Sequence, residues 1–283
     1  MTVSIGIVVD SACDVPPDWR YRHRVHVIPL HIIFGEEDFL DGVEMSQESF
    51  YQRIQETGVI PTTSQPSPGE FAALYRQLSH RYDAIISIHL GAKLSGAYQS
   101  AVLGAHMAAD EITVYPFDSG GGSAGAGFMA DEAMRMIDAG AAPEAILRRL
   151  ELLRERIRIF LTPRDLRFPR MSGRVNALSA FVASVLHITP IVVLVDGELA
   201  ASERARSRKQ AIRKIVKMAR EETGDGPVNI AIVHSRAPAD VAFFKQTILS
   251  TFQPQKFWIA RLSSPVAAHL GPGTIGIVCY RID

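Results

Sequence analysis

Residues 61–71 read Pro61-Thr62-Thr63-Ser64-Gln65-Pro66-Ser67-Pro68-Gly69-Glu70-Phe71 and lie between two segments with helical periodicity. Because proline fixes φ and disfavours helix in the residue before it, residues 61–68 are predicted to form a stiff, extended loop. The following helix should have Ser67 as its N-cap, Pro68 in its first position and Glu70 in its first turn. Hydroxyls beside a helix N-terminus suit an anion, although a well-capped loop without any ligand explains the same residues.

Three β-branched runs that precede polar loops favour a parallel, doubly wound α/β sheet whose loops gather at one edge. The runs and their loops are Val3–Val9 before Asp10-Ser11, Asp83–Leu90 before Ser95-Gly96, and Ile112–Phe117 before Asp118-Ser119. Ligands bind at the carboxyl ends of strands in such sheets, so Asp10, Ser11 and Ser95 are candidate site residues. Gly96 would let a ligand approach the start of the next helix closely.

The second half of the chain contains further strands and helices after a helix at about residues 143–156. We therefore predict two domains, 1–156 and 157–283. The second should contain a helix that runs to Leu186, an Asp196-Gly197 hairpin turn and a solvated basic helix from Arg204 to about Glu222. His269 is expected at the tip of a glycine-proline loop.

Composition narrows the class of protein. The chain has 283 residues, 47% of them hydrophobic, and a formal net charge of +0, which gives no support to a nucleic-acid or anionic-membrane partner. Residues 1–9 lack the features of a signal peptide, and no apolar run reaches the roughly 20 residues of a membrane helix. Cys13 and Cys279 are solitary. A soluble cytoplasmic protein with reduced thiols is the simplest interpretation.

Catalytic and cofactor motifs are weak. Ser95, Asp118 and His269 follow the chain order of an α/β-hydrolase triad, but residues 93–97 do not form the Gly-x-Ser-x-Gly elbow. The glycine run at 120–122 lacks dinucleotide spacing, there is no Walker A sequence, and the nine histidines are scattered, so no metal site is expected. Hydroxyls from Thr63 and Ser95, with one His and one Arg after glycine, instead suit a carboxylate or phosphate head group.

Seven segments together resemble the DegV family of bacterial fatty-acid-binding proteins across nearly the whole chain. They are residues 8–14 (Val-Val-Asp-Ser-Ala-Cys-Asp), 27–30 (Val-Ile-Pro-Leu), 63–71 (Thr-Ser-Gln-Pro-Ser-Pro-Gly-Glu-Phe), 94–101 (Leu-Ser-Gly-Ala-Tyr-Gln-Ser-Ala), 117–119 (Phe-Asp-Ser), 172–174 (Ser-Gly-Arg) and 269–274 (His-Leu-Gly-Pro-Gly-Thr). The pairing of Thr-Ser-Gln-Pro-Ser with Leu-Ser-Gly-x-Tyr-Gln-Ser-Ala is the most specific part.

The resemblance implies an N-terminal three-layer α/β/α domain with a parallel sheet and a C-terminal two-layer α/β domain with a mixed sheet. It implies one long-chain fatty acid, such as palmitate, buried between them. Thr63 and Ser95, with Gly96 beside them, would hold the carboxylate, and Arg174 and His269 would lie close to the head group. Similar proteins present the acid to a separate fatty acid kinase subunit, which binds the ATP. By this resemblance the chain is a carrier with no cofactor, metal or catalytic residue of its own.

The chain departs from the usual family pattern at three places. Ala97 stands where the family commonly has Thr, Met171-Ser172-Gly173-Arg174-Val175 stands where Lys-Gly-Gly-Arg-Ile is common, and residues 89–93 before Ser95 are atypical. Two other classes of function stay open at this point. One is a hydrolase of acyl esters or phosphorylated substrates that uses Ser95 and His269, and the other is a structural or interaction protein with an empty cleft.

Overall fold

The computed structural model describes residues 3–176 and 188–282. The chain divides into two compact units, Met1–Glu155 and Arg156–Asp283. The helix predicted to run to Leu186 lies outside the described residues, except that its first positions, Val175–Asn176, form a short strand.

A four-stranded parallel sheet forms the centre of the first unit, in the order β2-β1-β6-β7. Its strands are β1 (Ile5–Asp10), β2 (Val25–Ile28), β6 (Ala84–His89) and β7 (Thr113–Asp118). All residues of β1 and β6 are buried, as expected for central strands covered by helices on both faces. The parallel sheet predicted from the strand-loop-helix junctions is confirmed.

Five α-helices accompany this sheet, and the structure also has a short 3-10 helix at Arg22–Arg24. The α-helices are α1 (Gln47–Thr57), α2 (Pro68–Ser79), α3 (Ala97–Met107), α4 (Ala124–Asp138) and α5 (Pro143–Arg156). Helices α2 and α3 share a buried apolar cluster with Val8 of β1 and Ile85 of β6, while α4 contacts the same two strands. These contacts produce the expected α/β/α layers.

A second, three-stranded antiparallel sheet corrects one sequence-based prediction. Its order is β4-β3-β5, with β3 at His31–Phe34, β4 at Glu37–Leu40 and β5 at Thr62–Ser64. Residues 62–64 were predicted as part of a stiff, extended loop, but they form a strand that pairs with β3. The hydroxyl residues favour a strand, and an edge position tolerates the flanking prolines.

The start of α2 follows the prediction closely. Ser67 is the N-cap, and its Oγ accepts a hydrogen bond from the Glu70 N–H at 3.3 Å. The Ser67 N–H in turn donates to the Glu70 carboxylate at 2.7 Å, which completes a capping box, and Pro68 occupies the first turn. This cap fixes the direction in which the chain leaves β5 and enters the helix.

Helices α2 and α3 pack unusually closely. A Cβ added to Gly104 of α3 would lie 2.5 Å from the Phe71 Cβ and 2.9 Å from the Pro68 carbonyl oxygen. Further along both helices, the Arg76 guanidinium donates to the Met107 carbonyl. Since the contacts follow the same order along the two helices, α2 and α3 run side by side in the same direction.

The second unit is built on a seven-stranded mixed sheet in the order β13-β12-β14-β8-β10-β11-β9. Its strands are β8 (Arg158–Thr162), β9 (Val175–Asn176), β10 (Thr189–Val195), β11 (Glu198–Ala205), β12 (Val228–His234), β13 (Lys256–Arg261) and β14 (Ile275–Arg281). The predicted hairpin is confirmed: Asp196 and Gly197 join β10 and β11 with φ values of 50° and 78°.

Four helices of the second unit are described. They are α6 (Arg167–Ser172), α7 (Arg208–Thr223), α8 (Pro238–Leu249) and α9 (Ser264–Leu270). Ile212 and Ile215 of α7 and Phe244 of α8 pack with buried strand residues in one apolar cluster. This layer of helices on a mixed sheet matches the predicted fold class.

The close approach at Gly104 yields a stability prediction. Gly104→Ala should lower the free energy of unfolding by about 1–3 kcal/mol, because the added methyl meets backbone and Cβ atoms that cannot rotate away. Gly69→Ala in α2 is the matched control: its added methyl meets only the Ser67 Oγ at 3.8 Å. It should be neutral or stabilise by up to about 1 kcal/mol through helix propensity. Urea unfolding measures both, and equal effects would contradict the packing described.

Candidate functional site

The loop that carries Ser95 runs from the end of β6 to the start of α3. It is folded on itself, since the Leu94 and Ser95 N–H groups both donate to the Gly91 carbonyl, at 2.8 and 3.1 Å. The Ser95 Oγ is half-buried and accepts a hydrogen bond from the Ala97 N–H at 3.2 Å. A hydroxyl that accepts in this way still has a proton to donate, so Ser95 can present a donor at the N-terminus of a helix.

Ala97, one of the departures from the family pattern, is the first residue of α3. Its side chain is fully buried, and its backbone N–H donates the hydrogen bond that the Ser95 Oγ accepts. The position therefore contributes a backbone contact to the loop, and its side chain packs inside the unit.

The strand that carries Thr63 is connected to the Ser95 loop through Gln65, two residues after Thr63. Thr63 is half-buried in β5, opposite Ile32 of β3. Two residues later, the Gln65 side-chain amide lies 3.0 Å from where a Cβ of Gly96 would be. The absence of a side chain at Gly96 thus allows β5 to approach the start of α3. Thr63, Ser95 and Gly96 all belong to the first unit, and their joint role in holding a head group stays a prediction.

Arg174 and His269 form the second group, in the second unit. Arg174 follows Gly173, which ends α6 in the left-handed conformation at φ 65°. Its Nη1 donates to the Ser172 carbonyl at 2.8 Å. Burial and, to a lesser extent, the positive charge of Arg174 together lower the pKa of His269 to about 4. That electrostatic effect indicates that the two side chains lie near each other.

The predicted surroundings of His269 are wrong. It lies in the last turn of α9 and is half-buried, and does not stand at a loop tip. Pro265 in the first turn favours the start of a helix there, and the glycine-proline loop follows at Gly271. A Cβ on Gly271 would lie 2.9 Å from the Phe168 ring of α6, so this glycine allows α6 and α9 to pack closely.

Arg208 is a residue that sequence reasoning missed, because it was grouped with the solvated basic face. Its guanidinium donates to the Thr162 carbonyl at 2.7 Å, to the Asp240 carboxylate at 3.0 Å and to the Gly273 carbonyl. It thereby ties the end of β8 to the loop that follows His269. The only sequence signal is its place directly after the α7 N-cap, Ser207.

A buried polar chain was also missed. The Asp10 Oδ2 lies 3.3 Å from the His89 Nδ1, and the His89 Nε2 lies 2.6 Å from the Ser87 Oγ. These three residues have the order of a hydrolytic triad, but their exposed fractions are 2%, 0% and 0%, so no substrate reaches the hydroxyl. A histidine two residues after a serine in a buried strand was the available signal.

The hydrolase alternative gains nothing from Asp118. Its Oδ1 accepts from the Ala92 N–H at 3.1 Å and from the Gly120 N–H at 2.8 Å. Asp118 therefore shapes the Ser95 loop and the glycine run, which is a positioning role. Ser95 and Asp118 belong to the first unit and His269 to the second.

Residues 3–176 and 188–282 contain no group of three or more His, Cys, Asp or Glu side chains that could hold a metal ion. No helix in these ranges is long and apolar enough to cross a membrane. Cys13 and Cys279 are free thiols, and burial raises the pKa of Cys279 to about 12.

The fold and these loops define a two-unit α/β protein, with Thr63, Ser95 and Gly96 in one unit and Arg174 and His269 in the other. Residues 4–281 match the DegV family, described as a family of uncharacterised proteins. The chain therefore belongs to the DegV family. Protein DegV of Bacillus subtilis strain 168 is 34% identical over 282 residues, which span 99% of this chain and 100% of that protein.

Two solved structures of the family are similar over their whole length. A fatty-acid-binding DegV family protein from Thermus thermophilus has a TM-score of 0.91 and 33% identity, covering 99% of this chain and 100% of that one. DegV of Bacillus subtilis, a fatty acid binding protein, has a TM-score of 0.88 and 32% identity with the same coverage.

The lowered pKa of His269 predicts a pH dependence of stability. In the unfolded chain an imidazole binds a proton near pH 6.5, whereas in the folded protein His269 does so only near pH 4. As pH falls through this window the unfolded state binds more protons, so stability is lost. Relative to His269→Asn, the wild type should lose about 1.4 kcal/mol for each unit by which its folded pKa lies below the unfolded one.

Denaturant unfolding at several pH values between 7 and 4 measures this difference. Arg174→Gln is the matched control, because it keeps the imidazole and removes only the smaller cause of the shift. Its stability should fall less steeply with acid than that of the wild type. Parallel curves for the wild type and His269→Asn would contradict the assignment.

Proposed function

We propose that this protein binds one long-chain fatty acid, with the carboxylate held by the Thr63 and Ser95 hydroxyls. The observation that carries the proposal is the contact of Gln65 with Gly96, which joins the Thr63 strand to the Ser95 loop in one unit. Fatty-acid-binding relatives that share 33% and 32% of their residues with it over 99% of the chain support the ligand class.

The chemistry of this region suits a carboxylate. The two hydroxyls are neutral, so they can donate hydrogen bonds to a carboxylate without placing a positive charge in the site. The N-terminus of α3 adds a favourable dipole beside Ser95. Gly96 leaves space for the carboxylate to approach the backbone. Arg174 and His269 would form charge-assisted or neutral hydrogen bonds to the same head group.

Affinity would come mainly from the tail. Each buried methylene contributes about 0.8 kcal/mol, so a sixteen-carbon acid such as palmitate could gain on the order of 10 kcal/mol. Two head-group hydrogen bonds at about 1 kcal/mol each would mainly orient the ligand. The sequence-based expectation that the tail lies between domains 1–156 and 157–283 stays a prediction.

The protein would act as a carrier. In this proposal it catalyses no reaction, needs no cofactor and presents the acid in the cytoplasm to a separate fatty acid kinase subunit that supplies the ATP. The engagement of the Asp118 carboxylate by two backbone N–H groups supports a carrier over a Ser95–Asp118–His269 hydrolase. The Arg174 region departs from the family pattern, so kinase docking needs its own binding experiment with the partner subunit.

The proposed head-group contact predicts a modest mutational effect. Ser95→Ala should weaken palmitate binding about fivefold, because one hydrogen bond of about 1 kcal/mol is lost while the tail stays buried. Ser250→Ala is the matched control, since its hydroxyl lies exposed at the end of α8 and bonds only locally to the Thr247 carbonyl. It should leave the affinity unchanged.

Calorimetric titration of delipidated protein with palmitate measures both variants. Wild-type affinity for Ser95→Ala would remove Ser95 from the head-group site. Complete loss of binding would show that the hydroxyl does more than orient the ligand.

A further inference from the structure

A continuous hydrogen-bonded chain of four buried side chains runs through the first unit. The Tyr75 hydroxyl lies 2.8 Å from the Ser87 Oγ, which lies 2.6 Å from the His89 Nε2. The His89 Nδ1 lies 3.3 Å from the Asp10 Oδ2. Tyr75, Ser87 and His89 are 0% exposed and Asp10 is 2% exposed, so these groups have no access to bulk water.

Every proton in this chain can be donated to a neighbour in the chain only when all the hydrogen bonds point from Tyr75 towards Asp10. With a proton on the His89 Nδ1, the imidazole donates to Asp10, Ser87 donates to the His89 Nε2, and Tyr75 donates to Ser87. Burial raises the pKa of Tyr75 above its ordinary value, which keeps the donor at the start of the chain protonated. The opposite direction would leave the Tyr75 proton without its acceptor in this chain.

The two ends of the chain are connected to the segments that carry the proposed carboxylate contacts. Tyr75 is in α2, the helix that follows Thr63, and Phe71 of the same helix packs edge-on against the His89 ring at 4.9 Å between centroids. At the other end, the Asp10 Oδ2 accepts from the Leu90 N–H at 2.8 Å. Leu90 is the first residue of the loop that leads to Ser95.

Asp10 also uses its second oxygen. The Oδ1 accepts from the Ala12 N–H at 3.1 Å, so one carboxylate fixes the ends of β1 and β6 together. Apolar side chains could fill a buried space of this kind at less desolvation cost. A fully satisfied polar chain instead imposes one relative position on the groups that it joins.

We propose that Asp10, His89, Ser87 and Tyr75 are positioning residues that hold the Thr63 strand and the Ser95 loop in the arrangement that binds a carboxylate. This inference rests on the proposed fatty acid binding for its ligand. It assigns the placement of the head-group hydroxyls to buried groups that do not themselves touch the ligand.

The decisive variants change Asp10. Asp10→Ala removes the acceptor of the Leu90 N–H and should weaken palmitate binding tenfold or more. Asp10→Asn can keep that bond with its single carbonyl oxygen, so it should recover part of the affinity. This graded rescue distinguishes positioning of the loop from the general loss of a buried charge.

A pair of tyrosine variants supplies the matched control. Tyr75→Phe breaks the buried bond to Ser87, and Tyr280→Phe breaks the buried bond that the second unit's Asn229 donates at 2.6 Å. Both should lower the melting temperature, and only Tyr75→Phe should weaken palmitate binding, by about two- to fivefold. If Asp10→Ala does not fold, this pair and Asp10→Asn decide the question.

A spectroscopic measurement tests the direction of the chain independently of affinity. Imidazole nitrogen NMR should show His89 with its proton on Nδ1, and palmitate should shift this signal in the wild type. A proton on Nε2, or a signal that palmitate leaves unchanged, would overturn the inference. Wild-type affinity for Asp10→Ala, or a loss no larger than that of Tyr280→Phe, would overturn it as well.

A failure of the proposed fatty acid binding can be distinguished from a failure of the positioning role. If delipidated wild-type protein takes up no palmitate, the ligand assignment fails, and crystal structures of the wild type and the folded Asp10 variant decide the positioning role. A displaced Ser95 loop in the variant would support it, and an unmoved loop would overturn it.

Discussion

The candidate site depends on how closely helices α2 and α3 approach each other. Gly104 allows this approach, since any side chain there would collide with Phe71 and the Pro68 carbonyl. The two helices run in the same direction, so the segments that precede them also come together. One segment is the strand with Thr63 and the other is the loop with Ser95. Packing inside the unit thereby brings the strand with Thr63 towards the loop with Ser95.

The polar groups of the two units have different physical characters. Thr63 and Ser95 are neutral and half-buried beside the N-terminus of a helix, which favours an anion without a fixed positive charge. Arg174 supplies such a charge in the second unit, and together with burial it keeps the neighbouring His269 neutral at physiological pH. Arg208 stabilises the loop after His269 by binding two backbone carbonyls.

Local sequence signals predicted much of the fold. The Ser67 capping box, the Asp196-Gly197 hairpin and the parallel sheet all follow from residues adjacent in the chain or from repeated junctions. Residues 62–64 were harder, because their strand depends on pairing with β3, a segment some thirty residues earlier. His269 was misplaced for a related reason: a helix of only seven residues and its packing on α6 do not produce a clear sequence period.

The site was predictable in part. Resemblance to the family named Thr63, Ser95, Arg174 and His269, and their role as a head-group site stays a prediction. The buried chain from Asp10 to Tyr75 was not predictable, since its members are separated by up to 79 residues and only folding brings them together.

Native mass spectrometry of purified protein, followed by denaturing extraction and lipid identification, tests the central claim most directly. We expect the added mass of a single fatty acid, lost on denaturation; a ligand-free mass that also takes up no palmitate or oleate would contradict it.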